Sequence, residues 1–465
     1  MITTFCNTFY RFKRINVNLI KMIIRCNHGE NSPLCLCYSV ILGFLITLSA
    51  CNAVTTSSNF KQPPDTIPAL VLPDLPAVSK EEAARIKTAC ENWYDSVLKQ
   101  KGFNGGILVA KNGHIIFERY NGTGHLPGTD TITENTPLHI ASISKTFTAM
   151  AVLKLVQDGK LQLDDLFSKY FPVFNYPGIT IRNLLSHRSG LPNYLYFMEE
   201  LGWNKSVYIK NQDVLDYLIS RKPELKDITS PGTHFAYCNT NYALLALLIE
   251  KVTSVSYAQF IKQSFFIPLH MNNSYIFNLT DSAKALPSYD WRGKPEQLNF
   301  LDLVYGDKNI YTTPRDLLIW DRALSGKLLF TKEILEQAYA PYSNERPGIR
   351  NYGLGWRMNI YPNGKKIIYH NGWWHGSNAA FIRLLNDNAT IIVIGNKFTR
   401  SIYHAKSLES IFDNYYGPVD DEETETIKDL TTISTIKSDK MPVKAALKNR
   451  KNIQKKSQKK NRRSN

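Results

Sequence analysis

Three short stretches carry side chains that could do chemistry together. Ser142-Ile143-Ser144-Lys145 sets a hydroxyl and an amine three residues apart, a spacing that puts both on one side of a helix. A serine needs a neighbouring base to become a nucleophile, and a lysine serves only where burial or nearby cations leave it neutral. Tyr237-Cys238-Asn239 adds a phenol able to relay a proton and a carboxamide able to hold a substrate amide while also bonding the lysine. His370-Asn371-Gly372 ends in a residue without a side chain, where a substrate can approach the backbone. Together these types support nucleophilic opening of an ester or amide, with no metal and no organic cofactor implied.

None of the patterns is rare by itself. Ser-x-x-Lys also begins at Ser58, Ser96, Ser434 and Ser457, Tyr-x-Asn at Tyr342, Tyr361 and Tyr369, and Lys111-Asn112-Gly113 mimics the third motif ahead of the serine. The elements around them separate candidates from decoys. Ser142 opens a segment, 142–158, that is apolar on nearly every side and is expected as a helix buried all round, ended by Asp158-Gly159. Tyr237 follows the turn Pro231-Gly232-Thr233 and precedes a second apolar helix, Tyr242 to Val252. His370 closes a β-rich run from Lys365, which Ser377 to Leu385 and Thr390 to Ile394 follow, with a turn at Asn386 to Asn388. Near the other end, Gly106 to Ala110 and His114 to Phe117 flank Asn112-Gly113, a hairpin signal. Helices are expected at 81–100 and 401–415. The economical arrangement is an α/β (α+β) fold: one antiparallel sheet built from both chain ends, flanking helices, and an inserted, mostly helical domain across 140–350.

In this order and on these elements, the motifs resemble those of the serine β-lactamase and penicillin-binding protein superfamily. The likeness is to its class C β-lactamase-like branch of esterases and D-amino-acid peptidases. It spans residues 81–416 and includes LLSHRSGLP (184–192), PGTHFAYCNTNYALLALLIEKVT (231–253), PLHM (268–271), YTTPRDLLIW (311–320) and YGLGW (352–356). The resemblance implies an acylation and deacylation cycle with Ser142 as nucleophile, Lys145 as general base and Tyr237 as proton shuttle, also sharing in deacylation. It further implies that Asn239 holds the substrate amide and that the N–H groups of Ser142 and Trp373 form the oxyanion hole. Substrate-binding residues are thus Asn239, His370, Gly372 and Trp373, and the substrate is an ester, a D-amino-acid peptide or a β-lactam. One departure matters. The third motif of class C β-lactamases begins with Lys, whereas His370 is mostly neutral at pH 7, which argues against strong carboxylate recognition and against a dedicated β-lactamase. Trp373 and Trp374 are expected to narrow the cleft or to give it an aromatic wall. Cys238 reads as a small filler, His187 and Arg188 as structural support, and Asp164-Asp165 as a cap or turn.

Charge is distributed unevenly. The 465 residues carry a net +16, but residues 1–50 hold five Lys/Arg against Glu30, and 437–465 hold twelve against Asp439. The span 51–436 is left with a net charge of +1. A polyanion partner is therefore not implied for the body, and nucleic acid is an unlikely partner even for the tail in an exported chain. Leu34 to Ala50 is an apolar run after a basic segment, the layout of an export signal, and Leu48-Ser49-Ala50-Cys51 is similar to a lipoprotein cleavage site with Cys51 as the lipidated residue. Met22 gives a signal of more ordinary length than Met1. An uncleaved anchor is the alternative; either tethers an exported body to the membrane on its periplasmic or outer side. Only Cys90 and Cys238 remain in the body, too few for a disulfide framework or a thiolate zinc site. The expected organisation is an export signal (1–51), a proline-rich linker (52–80), a hydrolase domain (81–416) and an acidic-then-basic tail (417–465) that contacts anionic envelope polymers. The competing reading is a non-catalytic envelope-binding protein acting through cleft and tail.

Overall fold

The computed structural model describes residues 67–325 and 328–413. The export segment, Cys51, the first half of the proline-rich stretch and the tail beyond 413 lie outside the described residues.

Asn112 and Gly113 adopt φ of 50° and 68°, the left-handed pair that a two-residue hairpin needs, and so join β1 (Gly105–Lys111) to β2 (His114–Asn121). β1 then pairs antiparallel with β10 (Ala389–Gly395), from Gly105 opposite Gly395 to Lys111 opposite Ala389, which closes the two chain ends into one sheet. Its order is β2-β1-β10-β9-β8-β7-β6, with β9 (Ser377–Leu384) and β8 (Lys366–Trp374) between. Two further strands, β6 (Arg350–Tyr352) and β7 (Arg357–Ile360), extend it beyond the sequence expectation. They are three and four residues long and mostly polar, too short for an alternating pattern to register.

Alternate residues of β1 enter different cores. Leu108 and Ala110 join the larger one, and Ile107 and Val109 the smaller. The smaller core is covered by α1 (Lys80–Trp93) and by the C-terminal helix Arg400–Ile411. That last helix, expected at 401–415, is of the 3₁₀ type. Its buried positions, Ile402, Ala405, Leu408 and Tyr403, Lys406, Glu409, recur every third residue, as three residues per turn require.

The larger core holds the two apolar helices. α2 (Ser144–Gln157) is buried on almost all sides and ends at Gly159, φ 68°, whose left-handed backbone lets Lys160 N–H reach Leu155 O. α3 (Asn239–Thr253) begins three residues earlier than Tyr242 and is wholly buried from Thr240 to Ile249. Among the described residues no single helix is long and apolar enough to cross a membrane; α3 and the bent segment after it pass together by composition only. A small sheet, β3 (Leu138–His139), β5 (Ile310–Thr312) and β4 (Tyr275–Ile276), was not foreseen within the helical region.

The second half of the proline-rich stretch is part of the body and not a spacer. Leu70 N–H donates to Pro268 O, Arg322 to Pro73 O, and Asn112 to Pro76 O, while His114 Nε2 lies 3.2 Å from Leu75 O. Proline keeps this segment extended and leaves its carbonyls to be bound by others.

Candidate active site

The serine sits in a strained turn. After β3, Ile140 takes φ −96°, ψ 2°, and Ala141 takes φ 47°, a left-handed conformation that a residue with a Cβ rarely adopts. Ala141–Ile143 form one 3₁₀ turn, so α2 proper starts at Ser144, two residues after the expected start. A 3₁₀ turn aligns residues three apart, and Lys145 Nζ lies 3.0 Å from Ser142 Oγ. Ser142 is half-buried while both its neighbours are buried, so the hydroxyl faces an accessible space.

Lys145 is fully buried, and its other hydrogen bond goes to a carbonyl, Asp307 O, at 2.8 Å. The carboxylate of Asp307 is engaged elsewhere, accepting from Tyr194 Oη at 2.9 Å and from Lys308 Nζ at 3.3 Å. Burial therefore lowers the ammonium's pKa to about 7, the Asp307 charge opposing and the Arg357 charge assisting. Half of such lysines are neutral near pH 7 and can accept the serine proton.

Tyr237 lies over this pair, its ring centroid 5.1 Å from Lys145 Nζ. The ring is backed by His187 at 4.4 Å. His187 is buried, holds φ 56°, and accepts from Cys238 N–H through Nδ1, a supporting role in the second motif. The Cys238 thiol donates to Leu191 O, and burial pushes its pKa up, so it fills space. Asn239 is half-buried at the first residue of α3. Among the described residues it makes no hydrogen bond to Lys145, contrary to expectation; that ammonium donates to Ser142 Oγ and Asp307 O.

The third motif differs more from its reading. His370 is 1% exposed, with Nδ1 2.7 Å from Asn371 O and Nε2 3.3 Å from Tyr352 Oη. Burial, then the charges of Arg357 and Lys145, hold its pKa well below the ordinary value, so the imidazole is neutral. Gly372 is small for the protein's own packing: a Cβ there would lie 2.1 Å from Ile140 O, so the residue lets β8 press against the serine turn. Trp373 does not wall the cleft. By strand alternation its side chain shares a face with Tyr369 of the smaller core, and its ring meets Phe398 at 6.0 Å. What it offers the serine side is its backbone.

One residue escaped the sequence reading. Arg357 opens β7 opposite Tyr369, one residue short of His370, and its guanidinium carbon is 5.1 Å from the Tyr237 ring centroid. A fixed cation thus stands beside the motif whose own first residue is uncharged. The only signal was its place after YGLGW, with nothing in the sequence to say that β7 lies next to β8. Beyond Tyr369, no described strand pairs with β8 on the β7 side, so residues 370–374 present an edge next to the serine turn. Among the described residues no group of three His, Cys, Asp or Glu could hold a metal ion.

Comparison with known proteins identifies the family and the fold. The family model described as Beta-lactamase matches residues 91–408. Penicillin-binding protein 4* of Bacillus subtilis (strain 168) is 30% identical over 360 residues, covering 74% of this chain and 79% of the relative. Protein flp of Staphylococcus aureus (strain MRSA252) is 30% identical over 335 residues, covering 67% of this chain and 64% of its own length. Among solved structures, a penicillin-binding protein from Bacillus halodurans shares the fold with a TM-score of 0.60 at 23% identity, covering 68% of this chain and 98% of that one. An octameric penicillin-binding protein homologue from Pyrococcus abyssi does so at 0.59 and 23%, covering 70% and 77%. With the family model spanning more than half of its length, the chain belongs to the Beta-lactamase family, within the superfamily of serine β-lactamases and penicillin-binding proteins.

Proposed function

We propose that the protein is an exported serine hydrolase that opens an ester or amide through an acyl-enzyme on Ser142, and that its substrate bears a carboxylate on the leaving side. The observation that carries this reading is the buried Lys145 Nζ 3.0 Å from Ser142 Oγ, whose other hydrogen bond goes to a carbonyl and not to a carboxylate. Neutral Lys145 takes the serine proton as Oγ attacks the carbonyl carbon. The N–H groups of Ser142 and Trp373 stabilise the oxyanion. Tyr237 passes the proton to the leaving amine or alkoxide, and water later cleaves the acyl-enzyme with the same groups. Asn239 orients the substrate amide, whose main chain adds to the edge of β8.

Arg357 restores what His370 lacks. A guanidinium beside the third motif suits a carboxylate, which favours a carboxypeptidase-like or β-lactam-binding role over a simple esterase. The similarity to a penicillin-binding protein of Bacillus subtilis supports the same direction. Export through the N-terminal signal, lipidation at Cys51 and a place on the outer side of the membrane complete the proposal.

The test is covalent labelling of the full chain with a fluorophosphonate and a fluorescent penicillin, together with turnover of p-nitrophenyl esters, D-Ala-D-Ala peptides and nitrocefin. Labelling is expected in the native chain and absent in Ser142→Ala. Peptides with a free C-terminus should be cleaved faster than their amides, and Arg357→Gln should erase that difference. No label and no turnover on any substrate would overturn the hydrolase reading.

A further inference from the structure

Two buried charges, Asp307 and Lys308, lie behind Lys145, and no step of the proposed reaction uses them. Residues 306–310 run across the start of α2. Thr148 Oγ1 donates to Gly306 O at 2.6 Å, and Ile310 N–H donates to Ser144 Oγ at 3.1 Å, so both ends of the segment are tied to that helix. Asn309, at φ 81°, donates through Nδ2 to Asp302 O and Val304 O. Backbone held in this way presents Asp307 O to Lys145 Nζ and leaves the side chains of Asp307 and Lys308 in the interior, 1% and 3% exposed.

A carboxylate in such a place must be compensated. Its Oδ1 has no hydrogen-bond partner among the described residues. Compensation reaches Oδ2 alone, from Tyr194 Oη at 2.9 Å and from Lys308 Nζ at 3.3 Å. Tyr194 is a neutral donor, since burial holds its phenol well above the ordinary pKa. Among the described residues, Lys308 is thus the one cation paired with Asp307. Its ammonium also donates to Tyr194 Oη and lies over the Trp374 ring, 4.6 Å from the centroid. Packing and hydrogen bonds fix both charges, one of them on the residue whose carbonyl holds Lys145.

We propose that Lys308 is a positioning residue that acts on the reaction through Lys145: its ammonium cancels the Asp307 carboxylate, which alone would hold the general base protonated. The inference rests on the acyl-enzyme reading. Burial lowers the pKa of Lys145, and the Asp307 charge opposes that fall. Burial also lowers the pKa of Lys308, with Asp307 opposing and Lys145 assisting, so both ammonium groups sense the same carboxylate. The other groups facing Lys145 are the Arg357 guanidinium, the Cys238 thiol and the rings of Tyr237 and Tyr242, whose centroids are 5.1 and 5.7 Å from Nζ. His187 and His370 complete the set, both held neutral by burial.

The experiment records kcat/KM against pH for p-nitrophenyl acetate, an uncharged substrate, on the full chain. Lys308→Met leaves the carboxylate alone. It should raise the midpoint of the acid limb by about one pH unit, the effect of one buried charge at close range, and so lower turnover at pH 7 by about fivefold. Asp307→Asn keeps the backbone carbonyl that bonds Lys145 and removes only the charge, so the midpoint should fall by a similar amount. The double variant buries no unpaired charge and should fold with the midpoint back at its native value. Lost packing alters the plateau or the thermal midpoint, but it does not move the limb in opposite directions in the two single variants. In parallel, NMR of Ser142→Ala labelled with carbon-13 at lysine Cε titrates Lys145 directly, its signal identified by its loss in Lys145→Gln. Single variants whose midpoints stay put or move the same way, or a double variant that remains displaced, would overturn the role of Lys308. A chain without turnover at any pH fails the hydrolase reading instead, and the NMR titration still decides the charge pair.

Discussion

Lys145 and Arg357 act on each other at a distance, and that coupling is measurable. A general base works only when unprotonated, so kcat/KM on an uncharged ester should rise with pH through about 7, the value to which burial brings the Lys145 ammonium. The guanidinium of Arg357 is one of the causes that lower it. Replacing Arg357 by Gln removes a neighbouring positive charge, makes the ammonium easier to form and moves the acid limb to higher pH. A pH–rate profile on p-nitrophenyl acetate, which has no carboxylate for Arg357 to bind, separates this effect from substrate recognition. An unmoved limb would show that burial alone sets the base. At this scale the sequence disclosed the partners that lie three residues apart, because local geometry alone brings Ser142 and Lys145 together. It could not disclose Arg357, whose place at the site depends on the pairing of β7 with β8, nor the Asp307 carbonyl, which reaches Lys145 from 162 residues away.

β8 is the element on which the site depends, and Gly372 is its point of contact with the serine turn. The glycine is needed for space and not for an unusual dihedral, since a Cβ would meet Ile140 O at 2.1 Å and Ala141 Cβ at 3.3 Å. Neither neighbour can yield easily: the Ile140 carbonyl and the Ala141 Cβ are both fixed by the backbone of a strained turn. Gly372→Ala should therefore push β8 from Ser142, lowering kcat by about a hundredfold through the oxyanion contact. The accompanying loss of stability should be about 1–3 kcal/mol, as for overpacking elsewhere. Denaturant midpoint and ester turnover measured on the same sample test both. Loss of stability with full turnover would place the oxyanion hole elsewhere. The longer elements were readable because most are continuous apolar runs of strand or helix length bounded by turn residues: the β1–β2 hairpin, β8 to β10 and the two apolar helices. β6, β7 and the small sheet are two to four residues long and owe their existence to neighbours, so no local pattern marks them. The C-terminal 3₁₀ helix did carry its signature, a burial period of three, but that stripe becomes visible only once the buried face is known.

Across the whole molecule, charge is concentrated outside the folded body. A span with net charge of +1 should bind its substrate with little dependence on ionic strength, whereas the tail, with twelve Lys/Arg against one acid, should not. Removal of 437–465 is expected to abolish salt-sensitive retention on phosphatidylglycerol vesicles and to leave ester turnover unchanged. The proline-rich stretch divides the same way. From Leu70 to Pro76 it is held by hydrogen bonds to Pro268, Arg322, His114 and Asn112, and Leu70 and Leu72 pack against the larger core. Several of these anchors lie at the β1–β2 turn or on the helix that follows β5, so the segment ties sheet to helical layer. Each hydrogen bond contributes about 0.5–1.5 kcal/mol, and the buried leucines add to it. A chain starting at residue 67 should keep the thermal midpoint of the full protein, while one starting at 79 should melt several degrees lower. Equal midpoints for the two would mean that the segment lies on the body without stabilising it.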